Sequence, residues 1–358
     1  MKESAVNHID LSSIQSAVTS GDLRLTRWKE ENKLLQLFSS YPIEEWNEGV
    51  NRLQDEVMRQ ATIICERQLA EAGAGDPPVP FAFVLFGSGG RCEQTSWSDQ
   101  DNGLIYADGG GTEAQQYYEK FGEQLSNLLV DIGYPPCRGR VMASNPMWRL
   151  SLKEWQDQLS GWVETLRWED VRYLTIASDL RCIAGDEGLA KAWKRSFMDL
   201  LGRSEALEAA LLGNTVRHKA ALNVLGQVIT ERFGEHAGEF DVKYGLYIPL
   251  VNGIRCMALY YGIEESSTQE RISKLHELEA FPRPWLDALR RAFVKSLKFR
   301  SLTNRHTEDG IIQGDSYLSQ ETLKQKDVSR ELRESLQTVR QLYRMLQRQH
   351  RFAERRLP

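Results

Sequence analysis

A glycine-rich turn near the middle of the first half of the chain follows a short apolar segment. Residues 81–86, FAFVLF, are all apolar and end directly at Gly87-Ser88-Gly89-Gly90. Glycines at such a turn let backbone N–H groups come close to a phosphate, and the beginning of a following helix favours an anion. The turn therefore indicates either a phosphate-binding loop or an ordinary turn.

Two aspartates, Asp99 and Asp101, stand just before a second strand-like segment, residues 103–107. Side chains two residues apart in a strand point to the same side. Both carboxylates would then face one point and repel each other unless a cation lies between them. Mg²⁺ is typically bound by one or two carboxylates and completes its shell with water and substrate phosphates. The pair indicates a magnesium site or, alternatively, a solvated acidic turn.

The turn and the aspartate pair are more informative together than separately. The residues between them are enough for one short helix, so a turn, a helix and an adjacent strand would place a phosphate site beside a metal site. Phosphoryl and nucleotidyl transfer need this arrangement, because the metal bridges the phosphate under attack and neutralises its developing charge. The sequence therefore predicts a Mg²⁺-dependent transferase, with Mn²⁺ as the alternative ion.

These motifs resemble those of a known enzyme superfamily. An apolar strand, Gly-Ser and then Asp-x-Asp is similar to the signature of DNA polymerase β-type nucleotidyltransferases, and G-S-x-G-R-x-E with S-D-x-D is similar to PII uridylyltransferases. GSGGRCEQTSWSDQDNGLIY, VMASNPMW, DVKYGLYIPLVNGIRCMALYYGI and STQERISKL resemble the nucleotidyltransferases of the domain-of-unknown-function 294 family. The resemblance covers about residues 50–350. It implies a polymerase β-like core followed by a helical substrate-binding domain.

The resemblance also implies roles for individual residues. Gly87 and Ser88 would hold the nucleotide phosphates, and Asp99 and Asp101 would bind Mg²⁺. The implied reaction moves a nucleoside monophosphate from a nucleoside triphosphate to an acceptor and releases pyrophosphate.

Other positions in the motif match the family as well. We expect Arg91 to contact phosphate and Glu93 to orient Arg91 or the metal shell; each could instead be a residue on the surface of a helix. Gln94, Gln100 and Asn102 are expected to form hydrogen bonds within the loop.

The chain departs from the superfamily at the third carboxylate, which in active members helps to activate the acceptor hydroxyl. No carboxylate stands out at a strand position. Asp179, in ASDLRCIAG, corresponds to an aspartate of the family and is our candidate. The alternative is a salt bridge with Arg181 at a helix end.

A second departure precedes VMASNPMW. Family members have a C-P-G-G-like turn there, whereas this chain has Cys137-Arg138-Gly139-Arg140. The two arginines could contact a triphosphate or could simply be solvated.

Lys243 and Arg255 lie in the part that matches the helical domain and could bind a triphosphate, since both are cationic donors. They are 12 residues apart in the sequence, about three helical turns, which is compatible with one helix face. The alternative is a pair of surface or interhelical ion pairs. His218, beside Arg217, is expected to be an ordinary helix histidine.

The C-terminal 20 residues are strongly basic. Six arginines against Glu354 make a local net charge of +5, and the four spacings of 4, 4, 3 and 4 put the first five on one helix face. The arginines are Arg340, Arg344, Arg348, Arg351, Arg355 and Arg356. The face could bind RNA or another polyanion, or could be solvated or packed on acidic surface of the same chain.

Composition limits the class of protein. The chain has 358 residues, 41% of them hydrophobic and 27% charged, which is typical of globular domains and excludes collagenous, disordered and disulfide-scaffold proteins. Its net charge of −5 argues against extensive nucleic-acid binding outside the C-terminal segment. The five cysteines include no C-x-x-C pair, and no signal peptide or membrane span is evident, so we expect a cytoplasmic protein without membrane contact.

Hydrophobic patterning predicts an α+β fold with three parts. These are an N-terminal helical segment (residues 1–75), an α/β part (76–202) and an all-helical part (203–358). The family resemblance implies that the second is the nucleotidyltransferase domain and the third the substrate-binding domain. Strands are expected at 81–86, 103–107 and 138–143, with helices at 113–132, 187–201, 205–233, 241–261, 267–278, 284–302 and 319–351.

Two functional classes follow from these observations. The first is an enzyme, for which the acceptor would be a small molecule or a protein such as a PII-like regulator. The second is a catalytically weak or inactive nucleotide-binding module that regulates a partner, which the unclear third carboxylate favours. The sequence does not indicate an oligomeric state or a nucleotide base preference.

Overall fold

The computed structural model describes residues 8–217, 221–223, 225–308 and 311–354. Helices and short strands make up this part of the chain, so the predicted α+β class is confirmed. The chain forms two compact units. The first comprises the residues up to Glu164 with Ile176–Asp199 and Thr307–Ile312, and the second comprises Thr165–Thr175, Leu200–His306 and the residues from Gln313 onwards.

The first unit begins with the helices expected in the first 75 residues. They are α1 (Leu11–Gln15), α2 (Ser20–Leu37) and α3 (Ile43–Glu71). Thr19 and Asp22 form a capping box at the beginning of α2. The three-part division of the chain stays a prediction, but these helices pack in the same unit as the sheet that follows.

A four-stranded mixed sheet lies at the centre of the first unit. Its strands are β1 (Phe81–Leu85), β2 (Asn102–Tyr106), β3 (Arg149–Ser151) and β4 (Arg181–Gly185), in the order β3-β2-β1-β4. β1 is antiparallel to both β2 and β4, and β2 is parallel to β3. Because β1 has a strand on each side and packing on each face, all of its residues are buried.

Five more α-helices precede residue 202 in the described part of the chain. They are α4 (Gly87–Gly90), α5 (Gly111–Ile132), α6 (Leu152–Thr165), α7 (Trp168–Ala177), which spans the division between the units, and α8 (Glu187–Leu201). Gly133 ends α5 with φ of +106°, as its position in the sequence predicts. Ser151 and Glu154 form a capping box: each side chain accepts the backbone N–H of the other residue.

The two faces of β1 pack against different groups. Phe81, Phe83 and Leu85 join the core formed with α3 and α5. On the other side Phe86 contacts Trp148, whose ring lies 5.8 Å from that of Trp155. The Trp155 indole also donates a hydrogen bond to the Leu104 carbonyl at 2.9 Å. This aromatic cluster fills the face that α3 and α5 leave uncovered.

The prediction of a strand at residues 138–143 is wrong. The segment forms turns, because Arg140 has φ of +55°, a left-handed conformation that ends an extended run. Its contribution to the sheet is limited to single hydrogen bonds, such as the Val141 carbonyl accepting the Asn102 N–H. The third strand in chain order is β3. We did not predict β4, since RCIAG is short and only its central isoleucine is fully buried.

The second unit is mainly helical. It contains α9 (Glu205–Thr215), β5 (Phe240–Asp241), a π-helical segment (Lys243–Tyr247), α10 (Ile248–Tyr260), α11 (Thr268–Glu277), α12 (Arg283–Ser301), β8 (Tyr317–Leu318), α13 (Gln320–Lys324) and α14 (Lys326–Glu354). Two further strands, β6 (Arg305–Glu308) and β7 (Ile311–Gly314), cross the division of the chain, because Thr307–Ile312 is assigned to the first unit. Its core is formed by buried leucines and isoleucines of α10, α11, α12 and α14. β5 pairs with β8, and β6 pairs with β7.

Three long helices predicted for this unit are shorter or divided. The helix predicted at 205–233 ends at Thr215, and further on the Asn223 side chain accepts N–H groups of a turn. The segment 241–261 begins as strand and π-helix before α10. The helix predicted from residue 319 is divided at Gln325, whose ψ of 123° is extended. His218, Arg355 and Arg356 lie outside the described residues.

No helix in the described part of the chain is both long and apolar enough to cross a membrane.

Replacing Trp155 with alanine is expected to lower the free energy of unfolding by about 3–5 kcal/mol, because it opens a cavity beside β1 and removes the hydrogen bond to Leu104. Urea denaturation followed by far-UV circular dichroism measures the change. Trp168→Ala is the matched control, since that side chain is 56% exposed, and it should cost less than about 1 kcal/mol. Equal losses in the two variants would contradict the packing described here.

Candidate active site

The glycine-rich sequence predicted as a phosphate-binding turn forms α4, a single helical turn at the end of β1. Gly87 has φ of +53°, which favours glycine. A Cβ atom on Gly87 would overlap Oδ2 of Asp101, and one on Gly90 would overlap the carbonyl oxygen of Asp179. The turn therefore lies directly against the beginning of β2 on one side and the beginning of β4 on the other.

The two aspartates alternate with more deeply buried neighbours. Asp99 and Asp101 are half-buried, whereas Gln100 and Asn102 are buried. The Gln100 amide donates hydrogen bonds to the carbonyls of Ser126 and Tyr134, and the Asn102 amide oxygen accepts the Ala143 N–H. Gln100 and Asn102 thus bond to neighbouring segments rather than within the loop, and the two carboxylates take the more open side.

A second loop, residues 135–141, runs on both sides of Asp101. The Gln100 N–H donates to the Pro135 carbonyl at 3.0 Å, and the Asn102 N–H donates to the Val141 carbonyl at 3.1 Å. We call this segment the flanking loop. The first residue of the loop is hydrogen-bonded to the residue before Asp101, and its last residue is hydrogen-bonded to the residue after Asp101.

The flanking loop brings a thiol and two cations to this edge of the sheet. Burial, together with the Asp101 carboxylate to which the thiol is hydrogen-bonded, raises the pKa of the Cys137 thiol to about 12. Arg138 and Arg140 are exposed. No described carboxylate lies within salt-bridge distance of either arginine.

The sequence left two alternatives open for Arg91, contact with phosphate and a position on the surface of a helix. The structure excludes the surface position. Arg91 is 3% exposed, and its guanidinium lies 2.8 Å from a Glu93 oxygen and 2.5 Å from an Asp179 oxygen. Both carboxylates are buried as well. A buried arginine held by two carboxylates is a structural ion group, so the geometry favours an anchoring role for Arg91 over contact with phosphate.

Asp179 is fully buried, and its carboxylate pairs with Arg91 rather than with Arg181. The expected salt bridge between Asp179 and Arg181 is therefore wrong. Arg181 instead binds both oxygens of Asp55 in α3, at 2.7 and 2.8 Å, and donates to the Gly89 carbonyl. The role of Asp179 as a third catalytic carboxylate stays a prediction, and its position favours support of α4.

Sequence reasoning missed the residues of the N-terminal helices that anchor the loop between α4 and β2. In α3, Asn47 donates to the Gln94 carbonyl at 3.0 Å, and Asn51 accepts the Gln94 N–H at 2.8 Å. In α2, the buried Arg27 donates to the Ser96 carbonyl at 3.3 Å. A signal was present, because Asn47 and Asn51 are four residues apart on the buried face of α3.

Lys243 and Arg255 belong to the second unit. Lys243 is half-buried in the π-helical segment, and Arg255 is 5% exposed in α10, where it donates to the Asn252 side chain at 2.6 Å. Their role in binding a nucleotide stays a prediction.

The aspartate pair provides the oxygen donors that suit Mg²⁺. In the described residues, the only group of three His, Cys, Asp or Glu side chains with potential ligand atoms within 4.8 Å of one another lies in the second unit, formed by His236, Glu239 and Asp315. No third carboxylate of the described chain therefore joins Asp99 and Asp101 in such a group.

Comparison with protein families identifies both parts of the chain. Residues 35–169 match the family described as Putative nucleotidyltransferase DUF294. Residues 205–350 match the family described as Putative nucleotidyltransferase substrate binding domain. No curated protein matches the chain.

Gly90→Ala is expected to lower the free energy of unfolding by about 1–3 kcal/mol, because the new methyl group must displace the backbone at Asp179. Gly161→Ala in α6 is the matched control. A Cβ there meets no atom within 4 Å, so this change should stabilise the helix by about 0.5–1 kcal/mol. Chemical denaturation of both variants measures the difference, and a neutral Gly90→Ala would show that α4 is not packed as described.

Proposed function

Because this chain belongs to the DUF294 family of nucleotidyltransferases, we propose that it transfers a nucleoside monophosphate from a nucleoside triphosphate to an acceptor. The acceptor oxygen would attack the α-phosphorus, and the bond from that phosphorus to the β-phosphate would break, releasing pyrophosphate. The observation that carries the proposal is the contact between Gly87 and the Asp101 carboxylate, since it puts a phosphate-sized turn beside a candidate metal ligand.

Asp99 and Asp101 are the residues that would hold Mg²⁺, or Mn²⁺ in its place. Their carboxylates take the open side of the chain while the intervening side chain is buried, which fits an ion that also binds water and substrate phosphates. The ion would supply positive charge to the phosphates during transfer. Gly87 and Ser88 would contact the phosphates through the turn backbone and the serine hydroxyl.

Arg138 and Arg140 are our candidates for contact with the β- and γ-phosphates. Arg91 is buried between two carboxylates and Arg181 is paired with Asp55, so neither is available to a ligand without breaking a buried ion pair. The flanking loop carries exposed arginines on either side of Gly139. Guanidinium groups bind phosphate oxygens bidentately and with charge assistance.

We propose a protein side chain as the acceptor, as the likeness of the motif to PII uridylyltransferases suggests; a PII-like regulator is one such protein. A small molecule is the alternative acceptor. The family description of residues 205–350 as substrate binding supports the second unit as the part that binds the acceptor.

One observation favours a second function, a nucleotide-binding module with little or no transfer activity. The described residues provide no third carboxylate beside the aspartate pair, and the candidate Asp179 is paired with Arg91. Calorimetry separates the two functions. Nucleotide binding without pyrophosphate release over long incubation supports the module, whereas pyrophosphate release that depends on an acceptor fraction supports the transferase.

Asp99→Asn and Asp101→Asn should each reduce transfer on the order of 10³-fold or more, because each removes a charged ligand of the ion. The assay incubates the protein with each α-labelled nucleoside triphosphate, Mg²⁺ and a cell lysate, and follows label on macromolecules and small molecules. Asp131→Asn, which changes an exposed carboxylate of α5, should leave transfer unchanged. Transfer that survives in the double variant Asp99→Asn with Asp101→Asn would refute the proposed site.

Arg138→Gln and Arg140→Gln are each expected to raise KM for the nucleoside triphosphate about tenfold, since loss of one charge-assisted contact weakens binding by about 1.5 kcal/mol. Binding of the nucleoside monophosphate should change little, because it lacks the β- and γ-phosphates. Lys120→Gln removes an exposed cation from α5 and is the control. Equal weakening of monophosphate and triphosphate binding would contradict the assigned contact.

A further inference from the structure

The last turns of α14 expose an unusual surface. Between residues 337 and 351 every exposed position is an arginine or a glutamine, four of each: Gln337, Arg340, Gln341, Arg344, Gln347, Arg348, Gln349 and Arg351. We call this surface the Arg/Gln face. No aspartate or glutamate occurs from residue 335 to residue 353.

Among the side chains that the structure describes, no carboxylate neutralises the arginines of this face. The acidic residues in the first half of α14 are already paired: Asp327 with Arg330, Glu331 with Lys298 and Glu334 with Lys295, at 2.8–2.9 Å. No described carboxylate lies within 4.0 Å of Arg340, Arg344 or Arg348. The positive charge therefore remains on the surface.

Such a face is energetically unfavourable by itself. Arg340, Arg344 and Arg348 follow one another at intervals of four residues, and like charges at this spacing destabilise a helix by about 0.2–0.5 kcal/mol per pair. Ordinary exposed helix faces intersperse charges of both signs. An anionic ligand would remove the repulsion.

A cavity at the beginning of α14 extends the positive surface. It has a volume of about 420 Å³ and is lined by Lys324, Lys326, Ser329, Arg330, Arg333, Glu334 and Gln337. Its one carboxylate, Glu334, is held by Lys295. Gln337 belongs both to the cavity and to the Arg/Gln face, so the two are continuous.

The chemistry of the face favours one kind of anion. The opposite side of α14 is buried in the core through Leu336, Val339, Leu342 and Leu346, so the helix has no free apolar side to insert into a membrane. The exposed positions between 337 and 351 also include no apolar anchor of the kind that protein interfaces use. Arginines bind phosphates, and glutamines hydrogen-bond to phosphates and to base edges.

We propose that the Arg/Gln face of α14, together with the adjoining cavity, binds a phosphodiester strand, a single-stranded nucleic acid. The face is about 21 Å long, from 14 helical steps of about 1.5 Å each between residues 337 and 351, and would contact several successive phosphates. This binding does not depend on the proposed transfer reaction.

Fluorescence anisotropy of the full chain with labelled 20-nucleotide U-only RNA and T-only DNA, at 50–200 mM NaCl, tests the proposal. Arg340→Gln, Arg344→Gln and Arg348→Gln together should weaken binding at least tenfold. The slope of log K against log salt should become less steep by about 2, from about 0.7 for each of three lost phosphate contacts. Binding of both strands assigns recognition to the phosphates, whereas binding of RNA alone adds the 2′-hydroxyl.

The control variant removes the same charge elsewhere. Lys191→Gln, Lys274→Gln and Arg283→Gln together eliminate three exposed cations, each already within 4.0 Å of a carboxylate, and should leave binding unchanged. Gln341→Glu provides a second test of the face, because it adds a carboxylate one residue from Arg340; it too should weaken binding. Circular dichroism verifies that each variant is folded.

Three results would overturn the proposal. The first is that neither the RNA nor the DNA binds at 50 mM NaCl. The second is that the folded arginine variant binds as tightly as the unchanged chain. The third is that polyglutamate at an equal concentration of charge displaces the strand. The last result would assign the face to an acidic protein instead.

Discussion

The turn at the end of β1 has no room for side chains at two positions, and the arrangement of the first unit depends on this steric constraint. At Gly87 the missing Cβ lets the Asp101 carboxylate touch the backbone, and at Gly90 it lets the Asp179 carbonyl do the same. The beginnings of β2 and β4 are therefore held against one turn from two sides. A side chain at Gly87 would separate the turn from the carboxylate beside which a phosphate is expected, and one at Gly90 would separate the turn from the beginning of β4.

The buried charges around α4 have a consequence for ligand binding. A guanidinium removed from water needs carboxylate partners, and Arg91 has two while Arg181 has both oxygens of Asp55. These pairs link α4 to β4 and α3, so they fix the turn in place. The same pairing makes Arg91 and Arg181 costly to use as phosphate ligands, and this cost is the reason for our proposal that the exposed arginines of the flanking loop take that role.

Local patterns predicted the elements of the site, but not what anchors them. The apolar run of β1, the glycine end of α5 and the same-side placement of Asp99 and Asp101 all depend on residues within a few positions of one another, so the sequence predicts them. The Arg91–Asp179 pair joins residues 88 positions apart, and no local pattern encodes that contact. The prediction of a strand at 138–143 was also wrong. The left-handed backbone of Arg140 interrupts the extended conformation that the alternating sequence pattern suggested.

The second unit adds a constraint on what the protein can bind. Its helix α14 stays folded because its apolar side is buried, and this packing offsets the repulsion between successive arginines on the other side. A neutral ligand would gain little from that charge, whereas a ligand with several phosphates would neutralise it. Residues 205–350 match a family described as substrate binding, and this match includes most of the Arg/Gln face. The charge of α14 therefore favours a ligand that carries several phosphates, as in the strand that we propose for the Arg/Gln face.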